Sequence, residues 1–182
     1  MPVRDPDDYL VEQAAKHDRA SFTALYERYV ERVYRHVYYR VSNHADAEDI
    51  TQEVFTRAWK AIGKYKRTGA PFAAWLITIA ANLVADHYKR RQKMPVADVG
   101  YDNAPGDSAS DPAGMAEASF NSALVKKAVQ NLKGDKQKVI MMHFIDGFSY
   151  EEIAGTLKKS EGAIRVIQYR ALTDLRKMLA RE

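Results

Sequence analysis

Ser149-Tyr-Glu-Glu-Ile-Ala-Gly-Thr-Leu157, then Lys158-Lys159, then Ser160 through Leu179 is the stretch whose reading decides the fold. It reads as two helices joined by a short turn, the second much the longer. Ser149 is placed to cap the first helix, and Glu152, three residues on, can reach back to the cap's own N–H and close a capping box. Ile153, Ala154 and Leu157 give that helix one apolar side. Ser160 offers a second cap, and Glu161 suits the positive end of the helix it opens. Along this longer helix Ile164, Ile167, Ala171, Leu172, Leu175, Met178 and Leu179 fall on one stripe. Arg165, Val166, Tyr169, Arg170, Thr173, Arg176 and Lys177 occupy the opposite face. A short helix, a tight turn and a long helix with a basic outer face make the helix-turn-helix pattern, whose second helix enters the major groove of DNA.

Any helical hairpin has a packed stripe and a charged back, so charge must arbitrate. From Lys158 to Glu182 seven basic residues stand against three acidic ones, the direction phosphate binding needs. Lys158 and Lys159 in the turn, with Ser160, Tyr169 and Arg170, are therefore expected on duplex DNA. Arg165 and Val166 lie within two turns of the helix start, where base edges come within reach. An arginine there can read guanine, and the Val166 methyls can meet a thymine.

Outward from this hairpin, charge is unevenly spread. The 182 residues carry a net charge of +4, a mild lean toward nucleic acid that decides nothing alone. Cysteine is absent, which excludes disulfides and thiolate metal sites. No apolar run is long enough for a membrane span, and the acidic start Asp5-Pro-Asp-Asp8 is no signal peptide, so the expectation is a cytoplasmic protein without membrane insertion. Residues 60–93 hold eight basic residues and one acidic, whereas residues 94–119 hold five acidic and none basic. That acidic segment also carries three of the six prolines and few large apolar side chains, too little to repay the entropy of ordering. The expected organisation is all-α: two small helical domains, residues 1–93 and 120–182, joined by a flexible acidic linker over 94–119. Four of its five carboxylates are Asp98, Asp102, Asp107 and Asp111.

Almost nothing before residue 94 alternates like a strand. Residues 7–16 read as a short helix. Ser21 is expected to cap a second, in which Phe22, Leu25, Tyr26, Tyr29, Val30, Val33 and Val37 share a core face. A third should start near Asp46, burying Ile50, Val54, Phe55, Ala58 and Trp59. Its other side gathers Asp49, Gln52, Glu53, Thr56 and Lys60. Acidic residues early in a helix suit its dipole, but Asp49, Gln52 and Glu53 also make a compact acceptor patch fitted to arginines on a protein partner. Beyond it, Gly63-Lys-Tyr-Lys-Arg-Thr-Gly-Ala70 is a cationic loop and Pro71 starts another helix. Phe72, Trp75, Leu76, Ile79 and Leu83 should pack inward, with Thr78, Asn82, Lys89 and Lys93 outside. Loop cations beside an exposed Asn suit a displaced single strand, charge tracking the backbone and a pocket taking an unstacked base.

Asp46-Ala-Glu-Asp-Ile-Thr-Gln-Glu-Val-Phe-Thr-Arg-Ala-Trp59 resembles the second conserved region of the extracytoplasmic-function sigma factors, a group of the sigma-70 family. The stretch from Pro71 to Arg91 resembles the family's promoter-melting region, and residues 147–176 resemble its C-terminal helix-turn-helix. These matches stand in the family's order on both sides of a linker. The resemblance implies a factor that binds core RNA polymerase and recognises promoter DNA, double- and single-stranded, without being an enzyme or needing a cofactor. It implies docking of Asp49, Gln52, Glu53 and Thr56 on the clamp helices of the polymerase beta-prime subunit. It implies downstream-element contacts from Lys64, Tyr65, Lys66, Phe72 and Asn82, and an anti-sigma factor as inhibitory partner. Thr78, Ile167 and Leu172 stand where the family often has arginine, and Gln168 where leucine is common.

The rival is a stand-alone helix-turn-helix regulator with an N-terminal sensing domain. The acidic patch and the cationic, aromatic 64–75 segment favour polymerase and single-stranded DNA instead. An enzyme fares worse, since Asp86-His87 and His143 have no clustered base, nucleophile or ligand set around them.

Overall fold

Asp18, rather than Ser21, opens the longest helix of the N-terminal half. The structure, a computed structural model, describes residues 7–66, 70–93 and 112–180, the last stretch with side chains from residue 122 on. It divides into two units, Met1–Gly100 and Tyr101–Glu182. Among the described residues every regular element is helical.

In the first unit α1 spans Asp8–Ala15, α2 Arg19–Val41, α3 His44–Ala61 and α4 Phe72–Lys93, with a 3-10 turn at Ile62–Lys64. The Asp18 carboxylate accepts from the Ser21 N–H at 2.8 Å, and Ser21 itself is buried one turn inside α2. Likewise Asn43 caps α3, accepting from the Asp46 N–H at 2.9 Å, so the helix begins two residues before Asp46. Both corrections have one cause: an Asx residue with extended backbone outcompetes the first plausible residue inside the helix. α2 packs against α1, α3 and α4, and α3 also packs on α4. The core between them is Leu25, Val33 and Val37 from α2, Val54 and Ala58 from α3, and Leu76, Ala80 and Val84 from α4. Fully burying each larger aliphatic chain contributes about 1.5–3 kcal/mol. α1 is pinned through buried Asp7, whose carboxylate takes Arg28 and the Tyr29 hydroxyl of α2.

The second unit holds α5 at Pro112–Asn131, α6 at Asp135–Ile140, a π-helical turn at Met141–Ile145, α7 at Tyr150–Leu157 and α8 at Glu161–Leu179. α5 begins inside the segment expected to be linker, seven residues ahead of its expected end at residue 119. Pro112-Ala-Gly-Met-Ala-Glu-Ala-Ser119 has little to bury, but Ala, Met and Glu form helix without needing burial. Residues 94–111, with Asp98, Asp102, Asp107 and Asp111, lie outside the described residues. α8 is the hub, packing on α5, α6 and α7. Ile164, Ala171 and Leu175 on its inner stripe meet a core that includes Val139, Ile140, Phe148 and Ile153. Gly147 takes φ 71°, a left-handed conformation that costs glycine nothing, and lets the chain turn from the π segment into α7.

Candidate functional site

The helix-turn-helix is fixed by two caps and a left-handed turn. The Ser149 Oγ accepts from the Glu152 N–H at 3.2 Å, while Glu152 Oε2 accepts from the Ser149 N–H at 2.7 Å, completing the capping box. Ser160 Oγ accepts from the Ala163 N–H at 3.2 Å and starts α8. Between them Lys158 has φ 53°, so the turn is made by a lysine in a conformation that favours glycine. Arg165, Val166, Tyr169 and Arg170 are all exposed on α8, Tyr169 at 71%. The lysines of the turn are not equivalent. Lys159 Nζ lies 3.2 Å from Asp135 Oδ2, whereas Lys158 forms no ion pair with the described residues.

Arg165 is exposed without being loose. Its guanidinium carbon sits 4.1 Å from the centroid of the Tyr150 ring on α7, and one nitrogen lies 3.9 Å from Glu161. The Tyr150 hydroxyl donates to Gln168 Oε1 at 2.7 Å. Gln168, which departs from an inward leucine, thus meets a polar partner. His143 stacks on the same ring at 4.6 Å and 22°, with its Nδ1 2.9 Å from the Phe148 carbonyl oxygen.

On α3, Asp49, Gln52, Glu53 and Thr56 are exposed along one face. Glu53 accepts from Arg57 Nε at 2.7 Å, and that hydrogen bond holds its carboxyl below the usual range. Asp46 is shared between His87 at 3.5 Å and Arg91 at 3.4 Å, both from α4. A groove of about 570 Å³ runs between the helices, lined by Asp46, Asp49 and Glu53 on one bank and His87, Arg90 and Arg91 on the other. Asp49 is the exposed carboxylate of this groove without a described partner.

At the entry to α4, Lys64 and Lys66 are exposed and Tyr65 is half-buried. Tyr65 packs edge-on against Phe72, ring centroids 5.6 Å apart, and tilted against Trp75 at 5.0 Å. Phe72 itself is 3% exposed and also touches Tyr29. Its expected contact with DNA is corrected here: the ring is core, and it backs Tyr65 instead of facing outward. Asn82 is exposed on α4, about 15 Å along the axis from Phe72 at 1.5 Å per residue. The cations and aromatics therefore lie at one end of the helix and Asn82 nearly three turns on, farther than a single base spans. Thr78 is exposed between them, its hydroxyl donating to the Ala74 carbonyl at 2.8 Å.

A profile described as sigma-70 region 2 matches residues 25–94, and one described as sigma-70 region 4 matches residues 126–177. The ECF RNA polymerase sigma factor BldN of Streptomyces coelicolor is 38% identical, covering 98% of this chain and 69% of its own length. The chain belongs to the extracytoplasmic-function group of the sigma-70 family. The RNA polymerase sigma-H factor of Pseudomonas aeruginosa is 28% identical over 98% of this chain and 96% of that protein. A solved structure of CnrH in complex with the cytosolic domain of CnrY superposes with a TM-score of 0.71 at 25% identity, covering 98% of this chain and 99% of that one.

Membership sets aside the stand-alone regulator and makes this sigma factor a transcription-initiation protein. Among its described residues no three His, Asp or Glu side chains converge to hold a metal, and no helix is long and apolar enough to cross a membrane. Sequence reasoning found the outward faces of α3 and α8 but missed what stands beside them. The α4 side chains His87, Arg90 and Arg91 lie about forty residues from Asp49, and helical phase within α3 carries no trace of them. Tyr150 did carry a signal: an aromatic directly after a cap, facing the next helix's first turns, is placed to meet a side chain there.

Proposed function

We propose that this sigma factor docks on core RNA polymerase through Asp49, Gln52, Glu53 and Thr56 of α3, meeting the beta-prime clamp helices. Lys64, Tyr65, Lys66 and Asn82 would hold the displaced strand of the downstream element, with Phe72 supporting Tyr65 from beneath. Lys158, Lys159, Ser160, Arg165, Val166, Tyr169 and Arg170 would take the upstream element as duplex. The protein works in the cytoplasm, catalyses nothing itself, and lends specificity and duplex opening to the polymerase. The two units lie on one chain, so that two weak DNA sites act with a raised effective concentration. An anti-sigma factor is its natural antagonist, a reading supported by the CnrH–CnrY pairing of its structural relative.

The observation that carries the docking is the exposed acceptor face of α3. A nucleic-acid binder gains nothing by turning carboxylates toward phosphate, so this face suits a guanidinium-rich protein surface. The test is the double reversal Asp49→Lys/Glu53→Lys in full-length protein. Charges of one sign forced together at an interface cost several kcal/mol, so affinity for core polymerase should fall by roughly thirtyfold or more with the helical circular dichroism intact. A folded double variant with parental affinity would remove this face from the docking.

A further inference from the structure

The rings and charges around Tyr150 join three successive elements of the second unit. Tyr150 is the first residue of α7, and the capping box of Ser149 and Glu152 fixes where it stands. His143 stacks on it from the π turn, Gln168 of α8 accepts from its hydroxyl, and Arg165 of α8 lies over its ring. Arg165 sits in the second turn of α8 on the exposed face, in the position from which a side chain reaches base edges. A long arginine in solvent has many rotamers, and freezing it on a base costs entropy. A guanidinium resting on an aromatic face loses part of that freedom beforehand, while its N–H donors at the plane's edge stay open to a bidentate partner.

We propose that Tyr150 is a positioning residue for promoter recognition: its ring pre-orders Arg165, and the preference at the base pair Arg165 reads depends on that ring. The proposal rests on the assignment of Arg165 as a base reader. The hydroxyl bond to Gln168 has a different task, holding the start of α7 to α8. It follows that the ring and the hydroxyl should separate under mutation.

The experiment uses full-length protein bound to core polymerase, on a promoter library randomised one position at a time through the upstream element. Sequencing of the bound fraction gives the preference at each base pair. Arg165→Ala should flatten one base pair. Tyr150→Met, which keeps apolar bulk but offers no π face, should weaken preference at that same base pair by about two- to fivefold, the worth of an exposed cation–π contact. Preferences elsewhere should stay parental, and Tyr150→Met placed on Arg165→Ala should add nothing at that position. Tyr150→Phe should keep the parental profile. If Arg165→Ala flattens a base pair and Tyr150→Met leaves it sharp, or lowers all sequences alike, the ring is packing and the proposal fails. A flattened profile in Tyr150→Phe also overturns it, and where the methionine variant folds poorly Tyr150→Leu, equally without a π face, takes its place with the same two readings. If Arg165→Ala itself leaves every preference intact, Arg165 reads no base, and the proposal falls with that assignment.

Discussion

The outer face of α8 and the entry to α4 are both proposed to meet promoter DNA, yet they are built differently. On α8 every group belongs to one helix with a fixed start, and Arg165, Val166, Tyr169 and Arg170 are all exposed. At α4 the groups come from a 3-10 turn, a loop and two distant turns of helix. There Phe72 is buried, and Asn82 stands far from the cations. Helical phase places side chains well when one helix carries the whole surface. It fails where a loop must fold back, because the fold of the loop decides which aromatic is outermost.

The largest expected effect would sharpen that contrast. Phe72→Ala should destabilise the protein by roughly 3–5 kcal/mol, the cost of emptying a packed aromatic site, measured by urea unfolding. Tyr169→Ala on α8 should stay within about 0.5 kcal/mol of parent. A stable Phe72→Ala variant with weakened strand binding would return Phe72 to the DNA surface. Arg165→Ala comes next, with about 1–3 kcal/mol of discrimination lost at one base pair, read from competition binding. A loss shared by all sequences would make Arg165 a phosphate clamp.

Melting offers the next comparison. Asn82→Ala and the Lys64→Ala/Lys66→Ala pair should reduce open-complex formation on duplex promoters more than on a pre-opened bubble. Since Asn82 lies away from the cations, their effects should add when combined. Strong non-additivity would bring them to one base. Among the lysines of the α7–α8 turn, Lys158→Ala should reduce the slope of log affinity against log salt by about one unit. Lys159→Ala should reduce it less, because Asp135 already balances that charge. Equal slopes would show that DNA displaces Asp135 completely.

The smallest effect concerns the footing of α8. Lys136 donates to Asp174 at 2.5 Å, and that hydrogen bond, reinforced by the lysine's charge, holds the Asp174 carboxyl below its ordinary value. Its contribution is therefore complete above the unfolded value of about 3.9 and fades as pH falls through the lower folded value. Asp174→Asn should lower stability slightly at neutral pH and not at strongly acidic pH, measured by thermal melting across that range. A pH-independent deficit would assign Asp174 a packing role.

Much of this was legible beforehand because the cues were local. The capping box at Ser149–Glu152 and the Ser160 cap are read from residues three apart, and both form. The apolar stripe of α8 is a matter of phase, and Ile164, Ala171 and Leu175 are buried accordingly. What escaped was non-local or a competition between neighbours. Asp18 and Asn43 won their caps over residues equally plausible in isolation. The start of α5 was hidden because poverty in large side chains was read as absence of helix. The pairing of Asp46 with His87 and Arg91 spans more than forty residues, and only tertiary packing reveals that the acidic face borders a basic one.

The π turn at Met141–Ile145 has a consequence for how this protein can change over generations. Such a turn closes its hydrogen bonds one residue later than an α-helix does, so it accommodates one residue that a regular helix would not. Deleting that residue would rotate everything upstream by about 100° relative to α7, one step of a helix with 3.6 residues per turn. His143 would leave the Tyr150 ring. The turn is thus a one-residue ledge on which insertion and deletion act as a switch of register. Descendants that lose the residue would be expected to lose His143 as an aromatic partner and to repack Val139 and Ile140 against α8 at the same time.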